Sequence, residues 1–397
     1  MKKLVFGTCV FFLGIVAVVS VLELIARKLW HKKYIEWLGT QLHGYDYVDK
    51  EKSLIIPKPN TVKTVSQHRA DLQRHGKALG LKFFDAAHKQ NILSDTEIIF
   101  QINSHGFKGP EFIIPKPDSI FRILTLGNSC TWGPASDYYT YPRVMERELN
   151  SLVDENFKIE VVNGGVQGYN FERVLKRIDE YLVVEPDHVT IYLGWNRTIG
   201  RADPDKNQYL YRNFALYKMF YHFLVNRKDT GLAGNFKNRL SYNPNDLEMK
   251  DYESYNYKYS IRDLNELITI IHQYKPDIKI TIITIAGLFD KRVAADKRAL
   301  EIAYPISASN NLYAYSVLTH KWNFELKKYA EGGRMEIIDF EDAALELFNP
   351  RSKYFADSVH PTNEAHLKIG KFFAAELVKL EKFKTKDVQL TSKEFTY

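Results

Sequence analysis

Two hydrophobic textures alternate along this chain. Apolar runs of strand length recur in "FRILTLGNS", "FKIEVVNGG", "DHVTIYLGWN", "IKITIITIAG" and "MEIIDF". Between them lie segments with apolar residues at helical spacing: "YPRVMERELNSLV", "NFERVLKRIDEYLVV", "YSIRDLNELITIIHQY" and "LTHKWNFELKKYA", with "NEAHLKIGKFFAAELVKLEKF" last. Continuous apolar strands alternating with amphipathic helices predict a parallel sheet covered by helices on both faces. In such sheets reactive groups collect at the carboxyl ends of the strands. The motifs "GNS", "GGVQGYN" and "GWN" fall there.

The ends of the chain read differently. "LVFGTCVFFLGIVAVVSVL", Leu4 to Leu22, carries no charge. As a helix it spans roughly 28 Å, close to the hydrocarbon thickness of a bilayer. It ends on bulky residues, not the small ones a signal peptidase needs, which predicts an uncleaved single-pass anchor. Glu23 and Arg27, four apart, are placed to pair at the membrane interface, with Trp30 as an aromatic anchor. The predicted organisation is an anchor and juxtamembrane helix at 1–33, an approach segment at 34–118, an α/β domain at 119–383 and a polar tail at 384–397. The approach segment holds strand-like, Pro-punctuated "SLIIPKPNTVKTV" and a helix-compatible "ADLQRHGKALGLKFF". An aromatic-rich insertion at about 201–256 interrupts the α/β alternation. It is expected to pack its rings onto the core; the sharper alternative is a lid or sugar-stacking wall.

Composition removes several function classes. A net charge of +7, with basic residues scattered among acids, predicts solvated faces and no nucleic-acid partner. There is no zinc-finger spacing, HExxH or P-loop pattern, and no metal or organic cofactor is implied. Cys9 and Cys130 cannot build a disulfide framework and say nothing about redox compartment. Lys2 and Lys3 precede the apolar span and Arg27, Lys28, Lys32 and Lys33 follow it, so flanking charge leaves its orientation open. The α/β domain is nonetheless expected outside the cytoplasm, in the periplasm or at the cell surface.

Acyl transfer needs a nucleophile, a base, a group that orients the base, and donors for an oxyanion. Ser129 follows Gly127 and Asn128 at the end of a buried run. In "FADSVHPTNEAH", Asp357 and His360 are three apart in a loop before the last helix, so one turn can present both side chains to one point. Candidate oxyanion donors are the backbone N–H of Ser129, that of Gly168 and the side-chain amide of Asn196. The competing readings are a solvated loop histidine, a turn glycine and a helix N-cap. Cys130 is expected to pack inward, and "NRT" at Asn196 is a chance match to a glycosylation acceptor.

The order of these residues resembles the SGNH, or GDSL-type, hydrolase superfamily. "GNSCTWG" resembles its first block, "NGGVQGYN" the second, "GWN" the third and "DSVHPT" the DxxHP block. "INSHGFKGPEF" and "TYPRVMERELN" resemble text in membrane-anchored bacterial members. The resemblance implies a flavodoxin-like α/β/α sandwich and a serine esterase. It assigns Ser129 as nucleophile, His360 as base, Asp357 as its orienter, and Ser129, Gly168 and Asn196 as the oxyanion hole. The implied substrates are acyl or acetyl esters of a glycan or a lipid, and the anchor makes an envelope substrate the expectation; oligomeric state is left undetermined. An O-acyltransferase acting on an envelope polysaccharide and a retired, non-catalytic binding protein are the alternatives. Asn128 and Arg197 stand where the pattern usually has Asp, and they are the sequence support for the last of these.

Overall fold

In the computed structural model the five apolar runs pair as one parallel sheet. Its strands are β1 (Ile120–Gly127), β2 (Lys158–Gly165), β3 (His188–Tyr192), β4 (Lys279–Ile283) and β5 (Glu336–Ile338), in the order β2-β1-β3-β4-β5. The structure describes residues 2–40, 42, 45–74, 96–134, 136–154, 157–200, 202–203, 206–229, 240–306, 309–333 and 335–381, with backbone alone at 2–10, 72, 222 and 224–229. The expected polar tail from Lys384 and the second half of "ADLQRHGKALGLKFF" lie outside them.

Every side chain of β3 is buried, as a strand covered on both faces requires. One face meets the helices Tyr141–Leu152 and Asn363–Glu381. These approach so closely that a Cβ on Gly370 would lie 2.4 Å from Val144 Cβ. The rings of Tyr141, Tyr192, Phe340 and Phe373 pack edge to face between these helices and the sheet. The other face carries Lys258–Tyr274 and Tyr313–Ala330, where Trp322 packs against Phe171 and Tyr257 and donates its indole N–H to the Leu193 carbonyl at 3.3 Å. This is the three-layer α/β/α sandwich, and its strand order is the flavodoxin-like one.

The structure departs from the expected pattern at two places. "NFERVLKRIDEYLVV" forms two short helices, Phe171–Leu175 and Ile178–Leu182, in place of one. The break falls at Arg177, whose backbone leaves helical geometry while its buried guanidinium pairs with Glu180 and lies over the Tyr181 ring. The insertion does not bury its rings as a block. Asp203–Leu240 groups with Met1–Leu42 and Val48–Ile55 as one compact unit, while the stretch from Ser241 belongs to the unit that holds the sheet. In the first group Tyr209, Phe214, Phe220 and Phe223 are exposed; in the second Tyr252, Tyr255 and Tyr257 are buried.

The first helix runs Lys2–Thr40. From Phe11 to Ser20 every side chain is exposed, and a covered stripe of Glu23, Ala26, Trp30, Tyr34 and Leu38 begins only afterwards. Glu23 pairs with Arg27 at 2.9 Å and accepts the backbone N–H groups of Ala215 and Leu216, capping the helix Ala215–Asp229. Among the described residues no helix is long and apolar enough to cross a membrane. The run Leu4–Leu22 falls partly on residues 2–10, whose side chains lie outside that description.

Candidate active site

β1 ends at Gly127, and the chain turns at once into the short helix Ser129–Trp132. The turn is too tight for a side chain: a Cβ on Gly127 would lie 1.7 Å from Thr131 Oγ1. Asn128 caps the helix, its Oδ1 accepting the Cys130 N–H at 2.9 Å. That is the acceptor role a carboxylate would fill, so the replacement of Asp by Asn keeps the turn. Its fully buried amide nitrogen has no hydrogen-bond partner, an unfavourable feature of this turn. Asn163, in β2, donates to the Thr131 carbonyl at 3.0 Å and accepts the Gly165 N–H, tying the short helix to the neighbouring strand.

The second group comes from the other end of the chain. The loop before the last helix is closed by Ala356 N–H donating to the His360 carbonyl at 2.8 Å and Thr362 N–H to the Tyr354 carbonyl at 2.8 Å. Inside it Asp357 Oδ1 accepts the N–H groups of Val359 and His360, both at 2.9 Å. Asp357 Oδ2 lies 2.7 Å from His360 Nδ1, and His360 Nε2 lies 2.8 Å from Ser129 Oγ. An ionised carboxylate only accepts, so Nδ1 carries the proton and Nε2 receives the serine hydroxyl. Ser129 and His360 are half-buried and Asp357 is buried.

Electrostatics follow from that geometry. Burial pushes the Asp357 carboxyl up, but the charge and hydrogen bond of His360 and two backbone N–H groups outweigh it, leaving it below the usual carboxylate range. Burial pulls the His360 imidazole down, yet Asp357 holds it above its ordinary value of 6.5. The Cys130 thiol is buried, so its pKa is driven far up. Its Sγ donates to the Val359 carbonyl at 3.4 Å. It packs inward, as adjacent positions on a turn require.

The loops after β2 and β3 stand beside this group in the sheet. Gly168 has φ +75, with its carbonyl held by Arg173 at 2.7 Å. Asn196 caps no helix; its amide donates to the Tyr169 carbonyl at 3.2 Å, so the two loops proposed to bear oxyanion donors are joined. Arg197, at φ +59, does not face the relay as a free cation: it pairs with Glu172 at 2.7 Å. The carboxylates of Asp339, Glu341 and Asp342 come within 4.8 Å of one another, but Lys327 and Arg292 already pair with them. Residue pattern alone missed Asn163 and the buried Lys108; the only signal for the latter was its place in "INSHGFKGPEF".

A family model, the GDSL-like lipase/acylhydrolase family, matches residues 125–368. No curated protein matches the sequence. Among solved structures the chain is similar to a lipase/acylhydrolase from Enterococcus faecalis, with 16% identity, 68% of this chain and 99% of that one covered, and a TM-score of 0.39. It is similar to Axe2, an acetylxylan esterase from Geobacillus stearothermophilus, with 14% identity, 65% and 94% covered, and a TM-score of 0.37. A G-D-S-L lipolytic protein from Veillonella parvula gives 16% identity, 65% and 98% covered, and a TM-score of 0.37. Because the matched model takes in well over half of the chain, from the middle of β1 into the last helix, this protein belongs to the GDSL-like lipase/acylhydrolase (SGNH) family and is a hydrolase acting on ester bonds.

Proposed function

We propose that the protein is a membrane-anchored serine esterase that releases acyl or acetyl groups from a glycan or lipid of the cell envelope, its catalytic domain facing outward. The hydrogen-bonded series Ser129–His360–Asp357 carries the catalytic part of this reading. Ser129 Oγ attacks the ester carbonyl while His360 Nε2 takes its proton. The resulting imidazolium is stabilised by Asp357. The oxyanion is held by the N–H groups of Ser129 and Gly168 and by the second amide hydrogen of Asn196, the first being spent on Tyr169. Collapse expels the alcohol, which receives the proton from His360. Water then repeats the sequence on the acyl-enzyme and frees the acid. The half-exposed edge of His360 suits an ester carried on a large molecule. The uncovered apolar side chains from Phe11 onward, followed by exposed Arg27, Lys28, Lys32 and Lys33, support the anchor. If that anchor holds, the full-length chain sediments with membranes and leaves them only in detergent; release by salt or alkali alone would refute it.

The catalytic test is a fluorophosphonate probe on the full-length protein, with the adduct located by intact mass and peptide mapping. A single adduct on Ser129, much slowed in His360→Ala, is expected; folded protein without an adduct would overturn the proposal. Two further results follow from the geometry. The acidic limb of kcat/KM for p-nitrophenyl acetate lies above pH 6.5, because activity requires neutral His360 and Asp357 raises its pKa. In Asp357→Asn the charge that raises it is gone and burial remains, so the limb moves down; an unmoved limb counts against the pairing. Asn196→Ala loses about two to three orders of magnitude in kcat with little change in KM, the effect expected for an oxyanion donor. A loss confined to KM would assign Asn196 to ground-state binding instead.

A further inference from the structure

The segment "INSHGFKGPE" folds into a clip whose product is one buried cation. Asn103 Oδ1 accepts the N–H groups of His105 and Phe107 at 3.1 and 3.0 Å, and its amide donates to the Pro110 carbonyl at 3.0 Å. Glu111 reaches back to accept both the N–H and the hydroxyl of Ser104 at 2.7 Å. Gly106 and Gly109 take φ values of +81 and +126, which side chains rarely adopt. The backbone of Lys108, between them, bridges Ile102 on one side and Asn163 of β2 on the other.

This turn drives the Lys108 side chain fully out of solvent. Its ammonium donates to the Trp132 carbonyl at 3.2 Å and the Pro134 carbonyl at 2.5 Å, and lies 3.6 Å from Asp137 Oδ1. The rings of Trp132 and Phe100 lie 5.0 and 5.5 Å away. Trp132 ends the four-residue helix that begins with Ser129. So short a helix has almost no internal hydrogen bonding, and its last carbonyls need outside donors. Asn163 serves Thr131 and Lys108 serves Trp132.

We propose that Lys108 is a positioning residue for the nucleophile: a buried ammonium that grips the carboxyl end of the Ser129 helix and the loop beyond it, setting where Ser129 Oγ stands against His360. The inference rests on the reading of Ser129 as nucleophile. It makes the approach segment a working part of the active site, consistent with Ile56–Ala202 forming part of one compact unit with the catalytic loops. Among the described residues few titratable groups face the ammonium. Asp137 supports its charge, Arg143 acts in turn on Asp137, and His366 of the last helix is held neutral by burial, Lys108 and His360, with its pKa pushed down to about 3. Burial lowers the pKa of Lys108 to about 8 against the opposing pull of Asp137; the neutral amine would still carry two N–H groups for the two carbonyls, so the grip rests on the geometry and not on the charge.

The test compares full-length wild type with Lys108→Met and Asp137→Asn, using the fluorophosphonate probe for Ser129 and p-nitrophenyl acetate for turnover. Folded Lys108→Met, verified by circular dichroism, is expected to label about 10- to 100-fold more slowly, with kcat falling and KM within about twofold of wild type. Wild-type labelling and kcat in that folded variant overturn the inference. Should Lys108→Met fail to fold, Asp137→Asn decides. Without the carboxylate that anchors it, the lysine should hold the two carbonyls less well. Folded Asp137→Asn is expected to label Ser129 several-fold more slowly, with kcat lowered and KM flat. Wild-type labelling and kcat in that folded variant overturn the inference as well. A wild type without an adduct on Ser129 sinks the nucleophile reading, and the positioning role goes with it.

Discussion

Replacing Ser129 by alanine is expected to lower turnover of p-nitrophenyl acetate by about four to six orders of magnitude while leaving the fold and KM nearly unchanged. The size follows from what is removed. The covalent route disappears, and His360 is left with no hydroxyl to deprotonate. The oxyanion donors and the bound geometry remain, so the residual rate should still exceed that in water. The loss should also be non-additive. Adding His360→Ala to Ser129→Ala should cost little more, because the two side chains act as one unit across the 2.8 Å hydrogen bond. Losses that multiply would mean that the two residues act independently, which the relay does not allow. Full-length protein, steady-state kinetics and the double variant suffice for the measurement.

The second large effect concerns stability. Gly127→Ala should destabilise the protein by about 3 kcal/mol or more, the upper range for overpacking a buried site. The added methyl has nowhere to go. It would sit 1.7 Å from Thr131 Oγ1 and 2.4 Å from Thr131 Cβ, and that side chain is itself fixed by a 3.1 Å hydrogen bond to the Tyr141 hydroxyl. Relief requires moving the Ser129 helix away from β1, so the fraction that folds should be nearly inactive. Thr131→Ala in the same chain should recover part of the stability by removing Oγ1, the nearest clashing atom, while the Cβ at 2.4 Å remains. Thermal unfolding of the three proteins checks this. A Gly127→Ala protein as stable as wild type would mean that the turn has room for a methyl group.

The legible part of this protein was the part written in local periodicity. Five apolar runs became five parallel strands because a strand buried on both faces leaves no polar alternation to misread. The meeting of Asp357 and His360 was legible for the same reason, since three-residue spacing in a loop is a local constraint. Strand order was not, because which run pairs with which depends on packing between distant segments. The break at Arg177 was hidden because "NFERVLKRIDEYLVV" keeps helical spacing across it, and the backbone departs from a helix at that single residue, whose guanidinium is buried. The aromatic insertion misled in another way. Ring content alone does not say what covers a ring, and Phe220 and Phe223 meet solvent where a core was expected. Lys108 reads in sequence as an ordinary surface lysine; beyond its place in "INSHGFKGPEF", nothing local announces that two glycines and an asparagine turn it inward.

Ser129 directly follows the first strand of the sheet, whereas His360, its proposed base, arrives only after the last strand, 231 residues later. Chains that stop before Phe355 contain Ser129 and the loops with the proposed oxyanion donors but lack the residue proposed to take the proton. On the proposed relay, full hydrolytic competence is therefore expected only once the C-terminal loop is in place, and a copy without it should show no more than the residual activity of His360→Ala.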